Sequence, residues 1–268
     1  MPAVVQSDGA GLLRWSRGTE LGVSVAVTTR EGGVSTGPYR SLNLGLHVGD
    51  DVDRVLENRA RAARAFGVDL VDVIFPAQVH GTATVRVGNA ERGRGTTSLE
   101  SAIEGADALV TTAGATLTVL VADCVPLALV DPEAGVLAVV HAGWRGTGGA
   151  IVRSTLSVME HQGARAERTW AFLGPAVAPD LYQVDAVVHR ALEGALGPAG
   201  LDAHVMAPDG AGHWRCDLVA ANIVQLVAGG LDESRIEWCG VATSDGRFFS
   251  DRSERPCGRF ALLAQLER

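Results

Sequence analysis

Lysine is absent from this chain of 268 residues, and all 23 basic residues are arginines. The absence excludes a Schiff-base lysine and the lysine of a phosphate-binding P-loop. Any recognition of anions must therefore use arginine side chains or backbone amides. The 31 acidic residues give a net charge of -8, which repels the phosphates of nucleic acids, so no nucleic-acid partner is expected.

Aromatic residues, cysteine pairs and long apolar runs are also scarce. Aromatics make up 5% of a chain that is 47% hydrophobic, so small and branched aliphatic side chains must fill the core, which favours an α/β architecture. The four cysteines are widely spaced without a C-x-x-C pair, which indicates neither a disulfide framework nor a zinc finger. The first twenty residues lack a continuous apolar run, so no signal peptide and no membrane span are predicted. We expect a cytoplasmic enzyme.

Hydrophobic periodicity predicts strands and helices along the whole chain. The clearest helix runs from Asp51 to Phe66, with Asp50 or Asp51 as its N-cap and Gly67 as its stop. Further helices are predicted from Ala150 to His161, near Val184 to Leu196 and from Asp217 to Val227. Strands are predicted at Gly22 to Thr29, Val73 to Val79, Ala83 to Val87, Ala108 to Thr112, Leu117 to Val121, Leu127 to Val130, Val136 to Val140 and Trp170 to Leu173, with a final β-rich stretch from Arg235 to Leu266.

The strands between Val73 and Val140 are expected to be neighbours in one sheet system. The polar segment from Gly88 to Gly105 is interpreted as a loop, and it is too short to link two domains. Since no second domain and no internal repeat are evident, we predict one domain over residues 1–268.

Three potential metal ligands lie at predicted strand ends. His80 occurs in Q-V-H-G, Cys124 in V-A-D-C-V-P and His141 in V-V-H-A-G-W-R-G-T. Two imidazoles and one thiolate are good zinc ligands, and three protein ligands leave a fourth position for water or substrate, which is typical of catalytic zinc.

Each of these residues also has an ordinary structural interpretation. A histidine can cap a strand through one hydrogen bond, and a buried cysteine can behave as a small hydrophobic residue. The neighbouring sequence favours metal binding, because Asp123 is a possible supporting carboxylate, and Gly81 and Gly143 allow close backbone approach. The trio is therefore predicted to be both metal-binding and catalytic.

Short strings over most of the chain resemble one known family. They are T-T-R-E-G-G-V-S from Thr28, S-L-N-L-G-L-H-V-G-D-D from Ser41, E-N-R from Glu57, Q-V-H-G from Gln78, A-D-A-L-V-T from Ala106, A-D-C-V-P from Ala122, H-A-G-W-R-G-T from His141, L-G-P-A from Leu173, F-F-S-D-R from Phe248 and G-R-F-A from Gly258. In content and order they resemble the YfiH-like laccase-domain family. The resemblance implies a single layered α/β domain of mixed sheets flanked by helices, related in topology to cysteine hydrolases.

The resemblance also implies a function. Members named laccases or polyphenol oxidoreductases are more credibly zinc-dependent purine nucleoside enzymes, with the metal ligands falling on His80, Cys124 and His141. The implied reactions are phosphorolysis of adenosine, inosine, guanosine and methylthioadenosine, and deamination of adenosine. The expected partners are purine nucleosides and phosphate, with no membrane, and the expected state is a monomer or a small homo-oligomer.

Phosphorolysis needs an anion cradle, and arginine must provide it here. Arg59 and Arg145 are the first candidates, with Arg30 behind them, because a guanidinium binds phosphate oxygens bidentately. The amides of Asn43 and Gln78 are candidates for ribose or base, although Asn43 can equally brace its own loop. His47 is either a loop residue or a residue lining the site, and Asp123 or one of the ligand histidines is a candidate for the general acid or base of deamination.

Three other functions remain open from the sequence. A metal-free hydrolase of amides or cell-wall precursors would use Cys124 as nucleophile and His141 as base. A copper-dependent laccase is less favoured, because the chain has only 7 histidines and no H-x-H pair, but copper can replace zinc at a single site. In the third alternative the protein is a scaffold and the trio holds a structural metal.

Overall fold

The computed structural model describes residues 5–7, 11–202 and 204–267. The domain predicted over residues 1–268 also includes residues 1–4, 8–10, 203 and 268, which lie outside these ranges. The helices are α1 (Val52–Phe66), α2 (Trp144–Gly148), α3 (Ile151–His161), α4 (Ala186–Gly200) and α5 (Leu218–Ala228). The strands are β1 (Val5–Ser7), β2 (Leu12–Trp15), β3 (Val23–Thr28), β4 (Val73–Ile74), β5 (Pro76–Ala77), β6 (Thr84–Arg86), β7 (Ile103–Glu104), β8 (Ala108–Thr111), β9 (Thr116–Val121), β10 (Val125–Asp131), β11 (Val136–Ala142), β12 (Trp170–Leu173), β13 (Gln183–Asp185), β14 (Met206–Pro208), β15 (His213–Cys216), β16 (Ile236–Trp238) and β17 (Phe260–Leu266).

Two six-stranded mixed sheets form the centre of the molecule. The first has the order β1-β2-β3-β17-β9-β4, and the second has the order β16-β12-β10-β11-β8-β6. Most neighbours are antiparallel, whereas β4 with β9, β12 with β16 and β6 with β8 are parallel pairs. The prediction of mixed sheets flanked by helices is confirmed.

Successive side chains of the central strands point alternately into two different buried layers. In β9, Val119 faces the core between the two sheets, while Leu120 faces the layer that contains α1. In β10, Ala128 faces the same central core, while Leu127 and Leu129 face the layer that contains α3 and α5. Because alternate residues of a strand point to opposite faces, both faces of β9 and β10 are buried, and these strands consist mostly of apolar residues. The order of layers is helix, sheet, sheet, helices.

Helix α1 matches the sequence prediction closely. It begins after Asp51, whose side chain accepts a hydrogen bond from the Arg54 amide, and it ends at Gly67 with a φ of 104°. An aspartate at the N-cap satisfies a free amide, and a glycine adopts the left-handed conformation without a Cβ clash. These local signals explain why both boundaries were predictable.

Several predicted strands needed correction. The strands from Val73 to Val140 do not form one sheet: β4 and β9 belong to the first sheet, and β6, β8, β10 and β11 belong to the second. The predicted strand from Val73 to Val79 is interrupted at Phe75, whose amide donates to the Arg94 carbonyl. Strand β5 then pairs with β7 in a separate two-stranded sheet. Apolar alternation cannot tell which sheet a strand joins.

The final β-rich stretch, Arg235 to Leu266, is also only partly extended. It contains β16 and β17, but residues 239–259 between them are irregular apart from a short 3₁₀ turn at Thr243–Asp245. Gly, Asp, Ser and Pro residues in this segment favour turns over strands. The segment folds back over the turn between β9 and β10, where it contacts Asp123.

A small three-stranded sheet was missed by the sequence analysis. It has the order β13-β15-β14 and packs on α4, whose buried residues include Val188 and Leu192. Its strands have three or four residues, too few for the alternation to stand out. Among the described residues, every helix is too short or too polar to cross a bilayer.

Candidate metal centre

The candidate site lies where the chain crosses from one central sheet to the other. Strand β9 of the first sheet ends at Val121 and strand β10 of the second begins at Val125, so a tight turn carries Cys124. Asp123 in this turn has a φ of 86°, which few residues other than glycine adopt. Strand β11 runs antiparallel to β10 and places His141 opposite Pro126, beside the cysteine.

His80 reaches the same place from a loop between β5 and β6. Its φ is 59°, again in the left-handed region. One carboxylate fixes this loop, because Asp107 accepts hydrogen bonds from the amides of Val79 at 3.2 Å, His80 at 2.9 Å and Gly81 at 2.7 Å. Three amide donors converging on one buried carboxylate stabilise a backbone shape that is otherwise unfavourable.

The same carboxylate orients His141. Asp107 Oδ1 lies 2.8 Å from His141 Nδ1, and the main-chain carbonyl of Asp107 accepts from the His141 amide at 2.8 Å. A histidine that donates from Nδ1 presents the lone pair of Nε2 to the opposite side, as metal-binding histidines commonly do. Sequence reasoning missed Asp107, although the string A-D-A-L-V-T contains it; an aspartate just before a buried strand was the available signal.

The three predicted ligands come together. One ligand atom from each of His80, Cys124 and His141 lies within 4.8 Å of the other two, and the two imidazole centroids are 4.7 Å apart with the rings edge to face. Zinc bonds of about 2.0 to 2.3 Å in a tetrahedral arrangement place ligand atoms roughly 3.3 to 3.6 Å apart. The donor set and its spacing therefore fit one zinc or copper ion after small side-chain rotations.

Electrostatics within the trio favour a thiolate at Cys124. Burial alone raises the pKa of this thiol, but the charge and hydrogen bond of His141, and then those of His80, outweigh burial and bring the pKa below its usual range. Burial likewise lowers the pKa of His141, but Cys124 and Asp107 outweigh it and the pKa rises. A thiolate is the form of cysteine that binds a metal or acts as a nucleophile.

Gly143 has no side chain, and this makes room for the Cys124 and His80 side chains. A Cβ atom at this position would lie 2.8 Å from Cys124 Sγ and 3.3 Å from His80 Cδ2. Both atoms belong to predicted metal ligands, so any side chain at residue 143 must displace the cysteine, the histidine or both. This confirms the expectation that Gly143 allows a close approach.

We expect Gly143→Ala to weaken zinc binding at least roughly tenfold, because it shifts two ligands, and to cost about 1–3 kcal/mol of stability by overpacking. The measurements are zinc affinity by competition with a chromophoric chelator and urea unfolding. Gly194→Ala in α4 is the matched control, since a Cβ there meets nothing within 4 Å. Equal zinc affinities in the two variants would show that the close approach at Gly143 does not matter for the metal.

Two residues beside the ligands have positioning contacts. The Gln78 amide nitrogen donates to the Leu120 carbonyl at 2.7 Å, and its oxygen accepts from the Leu120 amide at 2.7 Å, which ties the His80 loop to β9. Asp123 accepts from the Thr243 hydroxyl at 2.5 Å and from the Arg252 amide at 2.6 Å. These contacts give both residues a bracing role, and the substrate contact of Gln78 and the acid–base role of Asp123 stay predictions.

Asn43 and Arg59 brace the loop that follows the glycine-rich segment. Asn43 is fully buried, and its amide donates to Asp50 and accepts from the amides of Gly45 and Arg259. Arg59 is 2% exposed; its Nε donates to the Leu44 carbonyl and its Nη1 to the carbonyls of residues 95 and 96, with the guanidinium over the Phe75 ring. Of the two interpretations of Asn43, the structure favours bracing.

Arg145 and Arg30 lie in different surroundings. Arg145 is exposed two residues after Gly143, in the first turn of α2, and its guanidinium lies 4.6 Å from the Trp144 ring centroid. The Arg30 guanidinium pairs with Glu254, donates to the Arg40 carbonyl and covers the Phe249 ring. Arg30 lines a separate groove to which none of the three ligands contributes. Its role in phosphate binding stays a prediction.

Comparisons with known proteins identify similar sequences. Residues 24–267 match the family model described as multi-copper polyphenol oxidoreductase laccase. The chain is 36% identical over 260 residues to purine nucleoside phosphorylase YlmD of Geobacillus stearothermophilus, covering 95% of this chain and 94% of the relative. It is 39% identical over 216 residues to adenosine deaminase RL5 of an unknown prokaryotic organism, covering 80% and 82%.

Solved structures show the same architecture. The crystal structure of YlmD superimposes with a TM-score of 0.94 at 34% identity, and the alignment covers 100% of both chains. A protein described as hypothetical protein YfiH of Bacillus licheniformis superimposes with a TM-score of 0.93 at 30% identity, covering 98% of both chains. The resemblance seen in the short sequence strings is confirmed.

Proposed function

The chain belongs to the multi-copper polyphenol oxidoreductase laccase family, and from this premise we propose that it is a zinc-dependent purine nucleoside enzyme. The names of its relatives support purine nucleoside processing in general. The proposed reactions are phosphorolysis of adenosine, inosine, guanosine and methylthioadenosine, and deamination of adenosine. The observation that carries the proposal is the convergence of His80, Cys124 and His141 on one point.

The three ligands have defined roles in this proposal. His80, Cys124 and His141 would hold one zinc ion, which when bound supplies a Lewis acid for a substrate oxygen or nitrogen. Asp107 keeps His141 turned towards the site by accepting its Nδ1 proton. Because the protein supplies three ligands, a fourth position stays open, as a catalytic site requires.

In phosphorolysis a phosphate oxygen bonds to the ribose C1′ while the bond from C1′ to the purine nitrogen breaks. The purine leaves with the bonding electrons and takes up a proton, which gives the free base and ribose-1-phosphate. Such a reaction needs cationic groups that hold phosphate close to C1′ and orient it. Arg145 has an exposed guanidinium two residues after Gly143, and Arg59 has Nη2 left over after its contacts to loop carbonyls.

A second candidate function is a metal-free amide hydrolase, including one acting on cell-wall precursors. It is favoured by the lowered pKa of Cys124 beside His141, the arrangement of a nucleophile and its base. A copper-dependent polyphenol oxidase is a third candidate through the family description. Among the described residues one His/Cys/Asp/Glu cluster of suitable spacing occurs, whereas a multicopper enzyme needs several copper centres.

Elemental analysis and product chromatography test the proposal together. Purified tag-free protein is expected to contain about one zinc per chain. It should convert adenosine to adenine and ribose-1-phosphate only when phosphate is present, and to inosine without phosphate. Metal-free protein that still cleaves amide substrates would favour the hydrolase. A copper-loaded protein that oxidises phenols and leaves nucleosides unchanged would favour the laccase.

The same preparation addresses two further predictions. Gel filtration with light scattering tests the proposed monomer or small homo-oligomer. Cell fractionation in the source organism tests the proposed cytoplasmic location.

A further inference from the structure

A buried arginine without a carboxylate partner lies on α1, and its charge acts on His47, the ring on which His80 and His141 also act. Arg59 is 2% exposed, and its contacts are three backbone carbonyls and the face of the Phe75 ring. In the described part of the chain no carboxylate pairs with this guanidinium, and no hydrogen bond to its Nη2 is found. A buried cation without an anionic partner is costly, so an unpaired one indicates that a ligand supplies the negative charge.

A second arginine holds the other side of the same loop. The Leu44 carbonyl accepts from Arg59 Nε at 2.8 Å, and the Leu44 amide donates to the Arg259 carbonyl at 2.9 Å. The Arg259 side chain also passes close to Gly45, the residue after Leu44. A Cβ atom on Gly45 would lie 2.9 Å from Arg259 Cγ. Glycine at residue 45 therefore lets the stem of Arg259 pass over the loop.

His47 lies three residues after Leu44, and its ring is within electrostatic range of His80 and His141. The residue is exposed, yet the protein atoms packed around its ring, and then the positive charges of Arg259 and Arg59, lower the pKa of His47 to about 4. His80 and His141 act on the same ring more weakly. The neutral imidazole of His47 has one ring N–H that can donate a hydrogen bond to an anion.

The acidic partner of Arg259 lies at a long distance for an ion pair. Its Nη2 lies 3.7 Å from Asp251 Oδ1, and its Nη1 donates to the carbonyls of Cys257 and Gly258. A contact of 3.7 Å is longer than a charge-assisted hydrogen bond of about 2.7–2.9 Å. An incoming anion can therefore compete with Asp251 for this guanidinium.

We propose that His47, Arg59 and Arg259 form the subsite for the phosphate co-substrate, next to the metal ligands. The proposal rests on the proposed phosphorolysis and names the residues that hold its second substrate. Two guanidinium groups supply the charge that a phosphate dianion requires, and the His47 imidazole supplies a neutral donor. His47 and Arg259 thereby gain a binding role.

The test measures phosphate binding and turnover separately on zinc-loaded protein. The variants are His47→Ala, Arg259→Gln and Arg259→Lys. Arg59 is left intact, because its replacement would leave the carbonyls of Leu44 and of residues 95 and 96 unpaired. Arg64→Gln is the control, since it removes the same charge from an exposed position of α1. Calorimetric titration with inorganic phosphate gives Kd, and thermal unfolding verifies that each variant is folded.

We expect His47→Ala and Arg259→Gln each to raise the Kd for phosphate and the KM for phosphate roughly tenfold, the loss of one strong hydrogen bond to an anion. The ratio of phosphorolysis to adenosine deamination should fall by the same factor, because deamination uses no phosphate. Arg259→Lys should restore part of the phosphate affinity, and Arg64→Gln should match the wild type.

Three results separate the subsite from the proposed function. An unchanged phosphate Kd in folded His47→Ala and Arg259→Gln would overturn the subsite. Equal losses of phosphorolysis and deamination would overturn it too, since they indicate general damage to the centre. In a third outcome the wild type binds phosphate, and His47→Ala and Arg259→Gln bind it more weakly, but the wild type turns over no nucleoside. This result supports the subsite and overturns the proposed function.

Discussion

Replacing Cys124 with alanine is expected to abolish stoichiometric zinc binding and to reduce turnover of adenosine, with or without phosphate, at least about a thousandfold. The thiolate is the one anionic ligand of the trio, and a catalytic metal supplies several kcal/mol of transition-state stabilisation. The fold should persist, because Cys124 is only partly buried and its removal costs about 1 kcal/mol. Zinc per chain, product chromatography and urea unfolding measure the three effects.

Cys239→Ala is the matched control for this variant. Cys239 is a buried free cysteine of the core between the two sheets, and the change removes the same sulfur. It should lower stability at least as much as Cys124→Ala while keeping zinc and turnover. If Cys124→Ala kept full nucleoside activity and lost only stability, the trio would be a structural feature. If the wild type stays active after complete removal of zinc, and Cys124→Ala is inactive, the results would indicate a cysteine hydrolase.

Asp107→Asn is expected to lower zinc affinity by about 10–100-fold and to destabilise the protein by about 1–3 kcal/mol. The carboxylate accepts the amides of Val79, His80 and Gly81 as well as His141 Nδ1. An asparagine has one acceptor oxygen, and its NH₂ group would face N–H donors that the carboxylate accepts in the wild type. Some of these hydrogen bonds are therefore lost, and both histidine ligands lose their fixed orientation. Zinc competition titrations and urea unfolding measure the two losses.

Asp131→Asn separates general destabilisation from the effect on the metal. Asp131 is equally buried, and it accepts backbone amides from residues 133, 134 and 165 and the guanidinium of Arg168. It lies at the far end of β10, roughly 20 Å from Cys124 at about 3.3 Å per residue. We expect a comparable stability loss and unchanged zinc affinity. A similar loss of zinc affinity in both variants would contradict the positioning role of Asp107.

Local sequence determined much of the architecture. The boundaries of α1 follow from Asp51 and Gly67, and the strands Trp170–Leu173 and Val136–Ala142 follow from short apolar runs. These features depend on residues a few positions apart, so the sequence displays them directly. The grouping of His80, Cys124 and His141 was also predictable, because two histidines and a cysteine near strand ends form a chemically coherent set of candidate ligands.

Other features depended on how the two sheets stack. Asp107 supports His141 across 34 residues, and Gln78 binds the backbone of Leu120 across 42 residues. Nothing in the local sequence distinguishes such partners from exposed polar side chains. The bracing contacts of Gln78 and Asp123 were not predicted for this reason, and their substrate and acid–base roles stay predictions.

The sequence by itself determined the α/β class, the dependence on arginine for anions, and the residue types of a metal centre. The tertiary structure decided which strands share a sheet, which carboxylate orients the ligands, and which arginine is buried without an anionic partner. The physical reason is distance along the chain. Propensity and capping act within one or two turns of backbone, whereas hydrogen bonds and charge pairs of the site join residues that only the folded layers bring together.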